Sequence, residues 1–582
     1  MRFFYVVGFL WALALPLRAI DREAFSISRY DLNATVEPEQ QRLAVRGRIT
    51  LRNESDDPQK NIALQISSSL HWVSIKLDGK PVEFLSQAYT SDIDHTGALT
   101  EAIVTVAPVS PEKTIDLEIG YEGTITQDAS RLIRIGVPAE TAKHSDWDQI
   151  GHTFSTVRGI GYVAWYPVAT EAASLSDGDS VLATVGRWKQ RESQAEMKVN
   201  LCLSQNSAEG NSSPPLQMFM NDAQSGVRGG SAGGITEKNV STRCKAYDFK
   251  QLGQSVPVFV LGNYSDNSRE NAVIHYLPEH KSGADDYAIA LDQAGPAVNQ
   301  LLGAPNSKPA YMPETFDLPD AQDAAFDSGN ALLMPLAQND TSLLLAAARQ
   351  LAHTAFPSPR LWISEGLAGY AQAAYMQSEK GRAAAIAYMQ GHRAAMVESE
   401  KENLAQGSDK AAAHSLINDP DQFYVETKAM SVWWMLRDMV GETAFTDALH
   451  NYKASEDKDA YYVQKLFEAR SHRDLAWFFD DWVYRDRGLP ELRIVSVYPR
   501  QLVGGGYLLT VTVENSGQAG AEVPVTRHMA QGESTERLIV PGNSKASVRI
   551  RAPMLPQEAR VNDGSVPEAN SGNNSFKIEV TQ

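Results

Sequence analysis

The sequence predicts a multidomain α+β protein with an N-terminal antiparallel β domain, a mainly helical domain and a C-terminal β-sandwich. The 582 residues exceed what a single hydrophobic core usually supports. Residues 20–264 and 493–582 alternate apolar and polar side chains with a period of two, which is typical of half-buried strands. Residues 265–492 instead repeat apolar side chains at helical spacing, so we place the domain boundaries at these changes of pattern.

The first nineteen residues are predicted to be a signal peptide. Arg2 supplies a positive charge, Phe3 to Leu17 form an apolar run, and Ala19 ends a plausible cleavage site. The run is short for a membrane-spanning helix, and no later segment is long and apolar enough. We therefore expect an exported protein, periplasmic or extracellular, with no integral membrane span after cleavage. An uncleaved anchor is the alternative.

The charge of the chain excludes one class of partner. Lysine and arginine number 53 and aspartate and glutamate 71, which gives a net charge of −18. Nucleic acids require cationic surfaces, so we expect no nucleic-acid partner.

The chain has two cysteines, Cys202 and Cys244, each in a strand-like run. Export makes a disulfide between them a candidate. Two unpaired thiols remain the alternative, because a sequence does not supply the geometry that a bridge requires.

In the N-terminal domain, runs such as LAVRGRITLRN alternate at period two, and Asp78-Gly79 marks a turn. Helical periodicity is weak there. The Ser-, Asn- and Gly-rich stretch Ser204 to Gly234 is predicted to be a long loop. In the C-terminal domain, runs such as GYLLTVTVENSG and NNSFKIEV predict a small β-sandwich.

The middle domain is predicted to be a series of helices with apolar residues at helical spacing. Their ranges are Asp285 to Leu302, Leu343 to His353, Ser364 to Met376, Lys380 to Asn403, Val425 to Val440, Thr443 to Tyr452, Ala460 to Arg470 and Asp474 to Tyr484.

Two of these helices carry a pattern related to a zinc site. A zinc peptidase helix with the pattern H-E-x-x-H places two imidazoles one turn apart with a glutamate base between them, and a later helix adds a carboxylate. Here the first helix carries Arg349, Gln350 and His353, and the second begins at Ser364 and carries Glu365. The frame is present, but the first histidine and the glutamate base are replaced.

The middle region resembles the aminopeptidase N (membrane alanyl aminopeptidase) family of zinc metallopeptidases. The runs that carry the resemblance are RQLAH (349–353), SEGLA (364–368), ETKAM (426–430), FFDDWVY (478–484) and GLPEL (488–492). The resemblance covers most of residues 20–492 and leaves the C-terminal β segment outside. It implies a thermolysin-like catalytic-type domain, in which the first three runs form the zinc site and the last two mark the end of the catalytic region.

The departures from the family pattern concentrate at the chemistry. Arg349 stands at the position of the first zinc ligand, and a guanidinium cannot ligate a metal. Gln350 stands at the general base and cannot take a proton from a water. Glu426 stands at the tyrosine that stabilises the oxyanion, and Tyr424, two residues away, is expected on another face of its helix.

The substrate-binding positions of the family fall on Gly329 and Asn330, with Gly329 in place of the glutamate that holds a free amine. In addition, only eleven residues separate His353 from Glu365, fewer than in the family pattern.

His353 and Glu365 are the ligand types that remain as metal candidates. Two ligands rarely make a zinc site, since catalytic sites use three and structural sites four. We therefore expect no cofactor, and zinc only if a substitute such as Glu426 or His414 rebuilds the site. The alternative for His353 is a buried imidazole hydrogen-bonded to a neighbour, and for Glu365 a residue favoured by the helix dipole.

A physical hypothesis links the replacements. Arg349 is predicted to pair with Glu365, with the guanidinium in the position that zinc takes in the family. A structure with Arg349 in solvent, far from Glu365 and Glu426, would contradict it.

Three functions follow from this reading. The first is an exported homologue of the metallopeptidases that is catalytically inactive and keeps its cleft for a peptide or protein partner, or as scaffold. The second is an active zinc-dependent aminopeptidase with a rebuilt metal site. The third is a secreted adhesion or assembly protein that acts through its C-terminal β-sandwich.

Overall fold

The computed structural model describes most of the chain between residues 20 and 578. The described ranges are 20–177, 180–206, 216–221, 224–225, 240–270, 272–302, 312–336, 340–356, 358, 360–394, 396–398, 415–419, 421–529 and 532–578. The predicted signal peptide (1–19), most of the predicted loop from Ser204 to Gly234, and His414 lie outside these ranges.

The N-terminal part is built from strands, as the period-two pattern predicts. The strands are β1 (Phe25–Glu37), β2 (Arg42–Asn53), β3 (Gln59–Ser67), β4 (Leu70–Leu77), β5 (Lys80–Pro81), β6 (Phe84–Thr90), β7 (Ala98–Val109), β8 (Thr114–Thr124), β9 (Gln149–Ile150), β10 (Phe154–Val157), β11 (Glu196–Asn206), β12 (Gln217–Met220), β13 (Gln224–Ser225), β14 (Val240–Phe249) and β15 (Phe259–Gly262). They form an eight-stranded sheet (β13-β14-β11-β1-β2-β8-β4-β5), a four-stranded sheet (β12-β15-β10-β9) and a three-stranded sheet (β3-β7-β6).

The large sheet departs from the predicted antiparallel arrangement at one place. Strands β1 and β11 are parallel, with Leu32 opposite Val199, while the other pairs of this sheet are antiparallel. A parallel pair requires a long crossover, and here the crossover contains the rest of the β strands up to β10 together with three helices. These are α1 (Ser130–Arg134), α2 (Ala139–Lys143) and α3 (Ser180–Glu192).

The middle part combines helices with a small mixed sheet that the sequence did not predict. Its strands are β16 (Ser265–Ser268), β17 (Val273–Tyr276), β18 (Glu314–Asp317), β19 (Phe326–Ser328) and β20 (Ala331–Met334), in the order β16-β17-β18-β20-β19. Each has only three or four residues, too few to show a period.

The helices of this part are α4 (Lys281–Leu302), α5 (Asp340–Ala355), α6 (Leu361–Lys380), α7 (Arg382–Gln390), α8 (Gln422–Val440), α9 (Glu442–His450), α10 (Tyr462–Ser471) and α11 (Ala476–Phe479), with a π-helical turn at Asp480–Tyr484. The helix predicted from Lys380 to Asn403 begins close to the expected place, but α7 ends at Gln390, and residues 399–403 lie outside the described ranges. Gly381 has φ +83°, a conformation that glycine adopts readily, and it separates α6 from α7. Gly441, at φ +82°, separates α8 from α9 in the same way.

The C-terminal strands form two antiparallel sheets. They are β21 (Leu492–Gln501), β22 (Tyr507–Asn515), β23 (Ala521–Met529), β24 (Gly532–Val540), β25 (Ser544–Ala552), β26 (Glu558–Val561) and β27 (Ser575–Lys577), in the orders β21-β22-β25 and β24-β23-β26-β27. Their buried side chains continue the core of the helical part. Trp482 donates a 2.8 Å hydrogen bond to the Gly520 carbonyl, and Arg473 pairs with Glu522 at 2.6 Å. The two parts are therefore packed together.

Across the described ranges, no helix has both the length and the apolar character that a membrane crossing requires.

Candidate functional site

Three helices bring the predicted site residues together. Helix α5 carries Arg349, Gln350 and His353, α6 carries Glu365, and α8 carries Glu426. Helices α6 and α8 approach closely because Gly366 has no side chain. A Cβ atom there would lie 2.5 Å from the Ala429 Cβ. This contact between the helices brings Glu426 near Glu365.

The centre of the site is the guanidinium of Arg349. It donates hydrogen bonds of 2.6 Å to Glu365, 2.6 Å to Glu426 and 2.7 Å to Asp327. The Arg349 side chain is only 15 % exposed, so these bonds compensate the loss of water around its charge. The predicted pairing of Arg349 with Glu365 is therefore confirmed. We refer to Arg349, His353, Glu365, Glu426 and Asp327 as the arginine cluster.

His353 extends the cluster through Glu365, since its Nε2 lies 3.2 Å from the Glu365 carboxylate. Burial lowers the pKa of His353, but the Glu365 charge, the hydrogen bond to Glu365 and the Asp327 charge together outweigh it, and the pKa is raised overall. Burial likewise acts to raise the pKa of Glu365, but the charges of His353 and Arg349 hold that pKa below its ordinary value. The result is an ion pair next to the guanidinium.

Glu426 behaves differently from Glu365, although both contact Arg349. Burial raises the pKa of Glu426, and the negative charges of Glu365 and Asp327 raise it further. The positive charge of Arg349 lowers it, but the pKa is raised overall. Glu365 has two cations beside it and Glu426 has one, so Glu365 ionises first.

Gln350 faces away from the arginine cluster. Its side-chain oxygen accepts hydrogen bonds from the Tyr287 hydroxyl (2.8 Å) and the Thr315 hydroxyl (3.1 Å). Its amide nitrogen donates to the Glu314 carbonyl at 3.1 Å. The Gln350 side chain thus connects helix α5 to α4 and to strand β18.

Asp327 is a member of the cluster that the sequence analysis missed. It lies in strand β19, two residues before Gly329. The predicted substrate-binding residues Gly329 (φ +62°) and Asn330 line the cavity described below. The residue of this segment that accepts a hydrogen bond from Arg349 is Asp327. The run FDSGN contains this carboxylate, but the resemblance points only to its glycine and its asparagine.

Lys189 is a second residue that the sequence analysis missed. It comes from helix α3 of the N-terminal part and lines the same cavity. Burial lowers the pKa of Lys189, while the charges of Glu365 and Asp327 act to raise it. Val181, Val185 and Trp188 recur at helical spacing in α3 and were the available signal for this helix.

Tyr424 lies on another face of α8, as predicted. Its hydroxyl donates to Asp486, and the fully buried Lys428 ammonium contacts both Asp486 and the Tyr424 oxygen, the latter at 3.0 Å. The contacts among Tyr424, Lys428 and Asp486 hold the segment after the π-helical turn in place. They also engage the Tyr424 hydroxyl outside the cavity.

A cavity of about 810 Å³ opens beside the arginine cluster, a volume within the usual range of ligand pockets. Arg349, His353, Glu426 and Lys189 form its charged side. Its remaining walls are mostly apolar, and they are contributed by both the N-terminal and the middle parts. The apolar residues include Leu132, Leu175, Val181, Leu182, Val185, Leu332, Met334, Leu345 and Ala346.

Far from this cavity, Cys202 and Cys244 lie opposite each other in the antiparallel pair β11–β14 and form a disulfide.

The solved structures to which this chain is similar include two peptidases. The first similar structure is an aminopeptidase A from Legionella pneumophila in complex with aspartic acid, with a TM-score of 0.55 and 11 % identity over 94 % of this chain. A second is a variant of an M1 zinc metallopeptidase from Deinococcus radiodurans bound to a Tyr-Ser-Ala substrate, with a TM-score of 0.45 and 15 % identity over 81 % of this chain and 96 % of that chain. No family model and no curated protein sequence matches the chain.

The first similarity shows that the chain has an aminopeptidase-type fold, and at this identity it shows the fold alone. It also extends into the C-terminal strands, which the sequence resemblance had left out. The chain covers 59 % of the length of the Legionella protein, so activity and substrates do not transfer with the fold.

Zinc does not fit the arginine cluster. The three Arg349 nitrogens already contact the carboxylates that a cation would need. Within the described ranges, no group of three His, Cys, Asp or Glu donor atoms within 4.8 Å of one another includes His353 or Glu365. The candidate substitute His414 lies outside those ranges.

Proposed function

We propose that this protein is an exported aminopeptidase-fold protein that does not hydrolyse peptides and uses its cavity to bind a peptide segment. The observation that supports this most directly is the Arg349 guanidinium, held between Glu365, Glu426 and Asp327. A permanent cation that belongs to the chain takes the place of an exchangeable metal. It brings no bound water, and such a water is the nucleophile of zinc hydrolysis.

Loss of the base supports the same conclusion. Gln350 has no basicity, and its amide is engaged with Tyr287, Thr315 and Glu314. Glu426 carries a carboxylate where an oxyanion would need a donor. Metal ligand, base and oxyanion donor are therefore all replaced.

The cavity supports a retained binding role. Its walls are mostly apolar in both the N-terminal and the middle parts, and on its charged side Arg349 is paired with Glu365 and Glu426. Such a surface favours the apolar side chains of a peptide over a strongly charged ligand, because an added charge would compete with existing ion pairs.

Export rests on the predicted signal peptide and agrees with the disulfide, since disulfides persist in oxidising compartments.

The test of this proposal measures hydrolysis and binding on the same preparation. The purified chain, supplemented with Zn²⁺, is assayed with an alanyl reporter peptide beside a zinc aminopeptidase as positive control. We expect no turnover above the level of the Glu365→Gln variant. Chelator-sensitive turnover that Glu365→Gln abolishes would refute the proposal.

Binding is measured separately with a fluorescent Ala-Leu-Phe peptide. Ala346→Trp places an indole in the cavity wall and should weaken the affinity at least tenfold. The control is Tyr498→Trp, at an exposed position outside the cavity lining, which should leave the affinity unchanged. Equal affinity of wild type and Ala346→Trp would refute a role of the cavity.

A further inference from the structure

A second group of metal-ligand side chains lies outside the arginine cluster. It consists of His144, which follows helix α2, and of Asp320 and Asp323, in the loop between β18 and β19. One donor atom from each of the three residues lies within 4.8 Å of the other two. His144 Nδ1 is 3.0 Å from an Asp323 oxygen and 3.8 Å from an Asp320 oxygen.

These distances match the spacing of ligands around a small cation. Zinc binds nitrogen and oxygen ligands at about 2.0–2.2 Å, so tetrahedral neighbours lie about 3.3 Å apart. The two separations from His144 bracket that value. The imidazole can therefore share one ion with either carboxylate after a small shift, and the two carboxylate oxygens lie within 4.8 Å of each other.

The donor set selects a class of cation. One imidazole and two carboxylates combine a borderline nitrogen ligand with oxygen ligands, which is typical of zinc sites with an open position. The two carboxylates also match the charge of a divalent ion. The Asp320 side chain is 52 % exposed and the Asp323 side chain 9 %, so the site is open on one side to water.

Backbone contacts already hold the two segments together. The Ala324 amide donates to the His144 carbonyl at 2.7 Å, and the Trp147 indole donates to the Ala324 carbonyl at 3.0 Å. The imidazole comes from a different segment than the carboxylates, so this group is more than a run of surface acids. An ion pair between His144 and Asp323 without a metal is the competing explanation.

We infer that His144, Asp320 and Asp323 bind a divalent cation of the zinc type, which ties the N-terminal part to the loop that leads into strand β19. That strand carries Asp327, the partner of Arg349. The metal would link these two segments through three protein ligands, and the inference is independent of the proposed function of the cavity.

A zinc site at His144, Asp320 and Asp323 would contribute to the zinc content of the purified protein. One equivalent of zinc in the purified protein would not by itself demonstrate a peptidase site. The two sites are distinguished by the variants that remove the metal.

The test titrates Zn²⁺ alone into the chelator-treated full chain by calorimetry, and Co²⁺ is titrated in parallel as a visible spectroscopic probe. We expect one equivalent in the wild type and in His353→Gln. We expect the affinity to fall at least tenfold in Asp320→Asn and in His144→Gln. Asp320 is half exposed, so Asp320→Asn should fold normally, and its far-UV circular dichroism checks this.

The matched control is His528→Gln. His528 also faces a carboxylate, Glu533 at 2.7 Å, but belongs to no three-ligand group among the described residues. It should bind zinc like the wild type. A wild type that binds no zinc would overturn the inference, as would an Asp320→Asn variant with unchanged affinity or loss of the metal in His353→Gln.

Discussion

Arg349 donates a 2.6 Å hydrogen bond to Glu365. The ion pair joins helix α5 to α6 in the interior of the protein. It makes the cluster a structural element, and this has measurable consequences.

The first prediction concerns the loss of that cation. Arg349→Met removes the guanidinium and leaves Glu365, Glu426 and Asp327 without their shared partner. Breaking a buried charge pair from one side costs about 3–5 kcal/mol, and urea unfolding should show a loss of that size. Arg48→Ala, which removes an exposed pair with Glu118 at 3.4 Å, should cost less than about 1 kcal/mol. Equal losses would show that Arg349 is not a buried structural cation.

The second prediction concerns pH. The pKa of His353 is raised in the folded state above its ordinary value of 6.5. A raised pKa means that the folded state binds the proton more tightly, so the stabilisation is complete below pH 6.5 and is lost as pH rises through the folded pKa. The urea midpoint should therefore fall as the pH rises above 6.5, and His353→Gln should make this fall shallower. His528→Gln should retain the slope of the wild type, and a His353→Gln variant with that slope would refute the prediction.

The third prediction concerns the base position. Gln350→Glu restores the residue of the family pattern, but its carboxylate cannot donate to the Glu314 carbonyl as the amide does. An unsatisfied buried acceptor costs about 1–3 kcal/mol, so thermal unfolding should shift downward. Gln372→Glu provides the comparison, since the Gln372 amide also donates to a carbonyl, that of Leu345, but is half-buried. The loss of stability in Gln372→Glu should be smaller than in Gln350→Glu. A Gln350→Glu variant that is as stable as the wild type would contradict the described hydrogen bonds.

The fourth prediction concerns the contact of α6 with α8. A methyl group at Gly366 would lie 2.5 Å from Ala429 and 2.8 Å from the Trp433 ring, so Gly366→Ala should force the helices apart. Overpacking of this kind costs about 1–3 kcal/mol, and it should also lengthen the contact of Glu426 with Arg349. A methyl group at Gly369, one turn later, would lie 3.2 Å from the Met430 Cβ, a milder contact, so Gly369→Ala should cost less. Calorimetric melting of the two variants decides between these outcomes.

Much of the arginine cluster was accessible from the sequence because its helices are long. Helices α5, α6 and α8 span sixteen to twenty residues, so their apolar spacing predicted them. The resemblance to the zinc peptidases implied that Arg349, Glu365 and Glu426 meet at one site. The charge logic then predicted the pairing of Arg349 with Glu365. Helical geometry also predicted that Tyr424, two residues before Glu426, lies on a different face of its helix and outside the cluster.

The missed members of the site come from elements without a detectable period. Asp327 lies in a three-residue strand, and no periodicity can be read from so few positions. Lys189 lies on a helix inserted among strands, and its approach to Glu365 depends on how two parts of the chain pack. His144, Asp320 and Asp323 also meet through packing of distant segments. Contacts of this kind have no local signature in a sequence.

The link between Cys202 and Cys244 encloses a stretch of chain, since 42 positions separate the two residues. A protease that cuts one peptide bond inside this stretch would produce two pieces that stay covalently attached. The nicked molecule would migrate at full length on a non-reducing gel and separate into fragments only after a thiol is added. Electrophoresis with and without reductant therefore reports at once whether the chain was cut there and whether the bridge had formed in the cell that produced it.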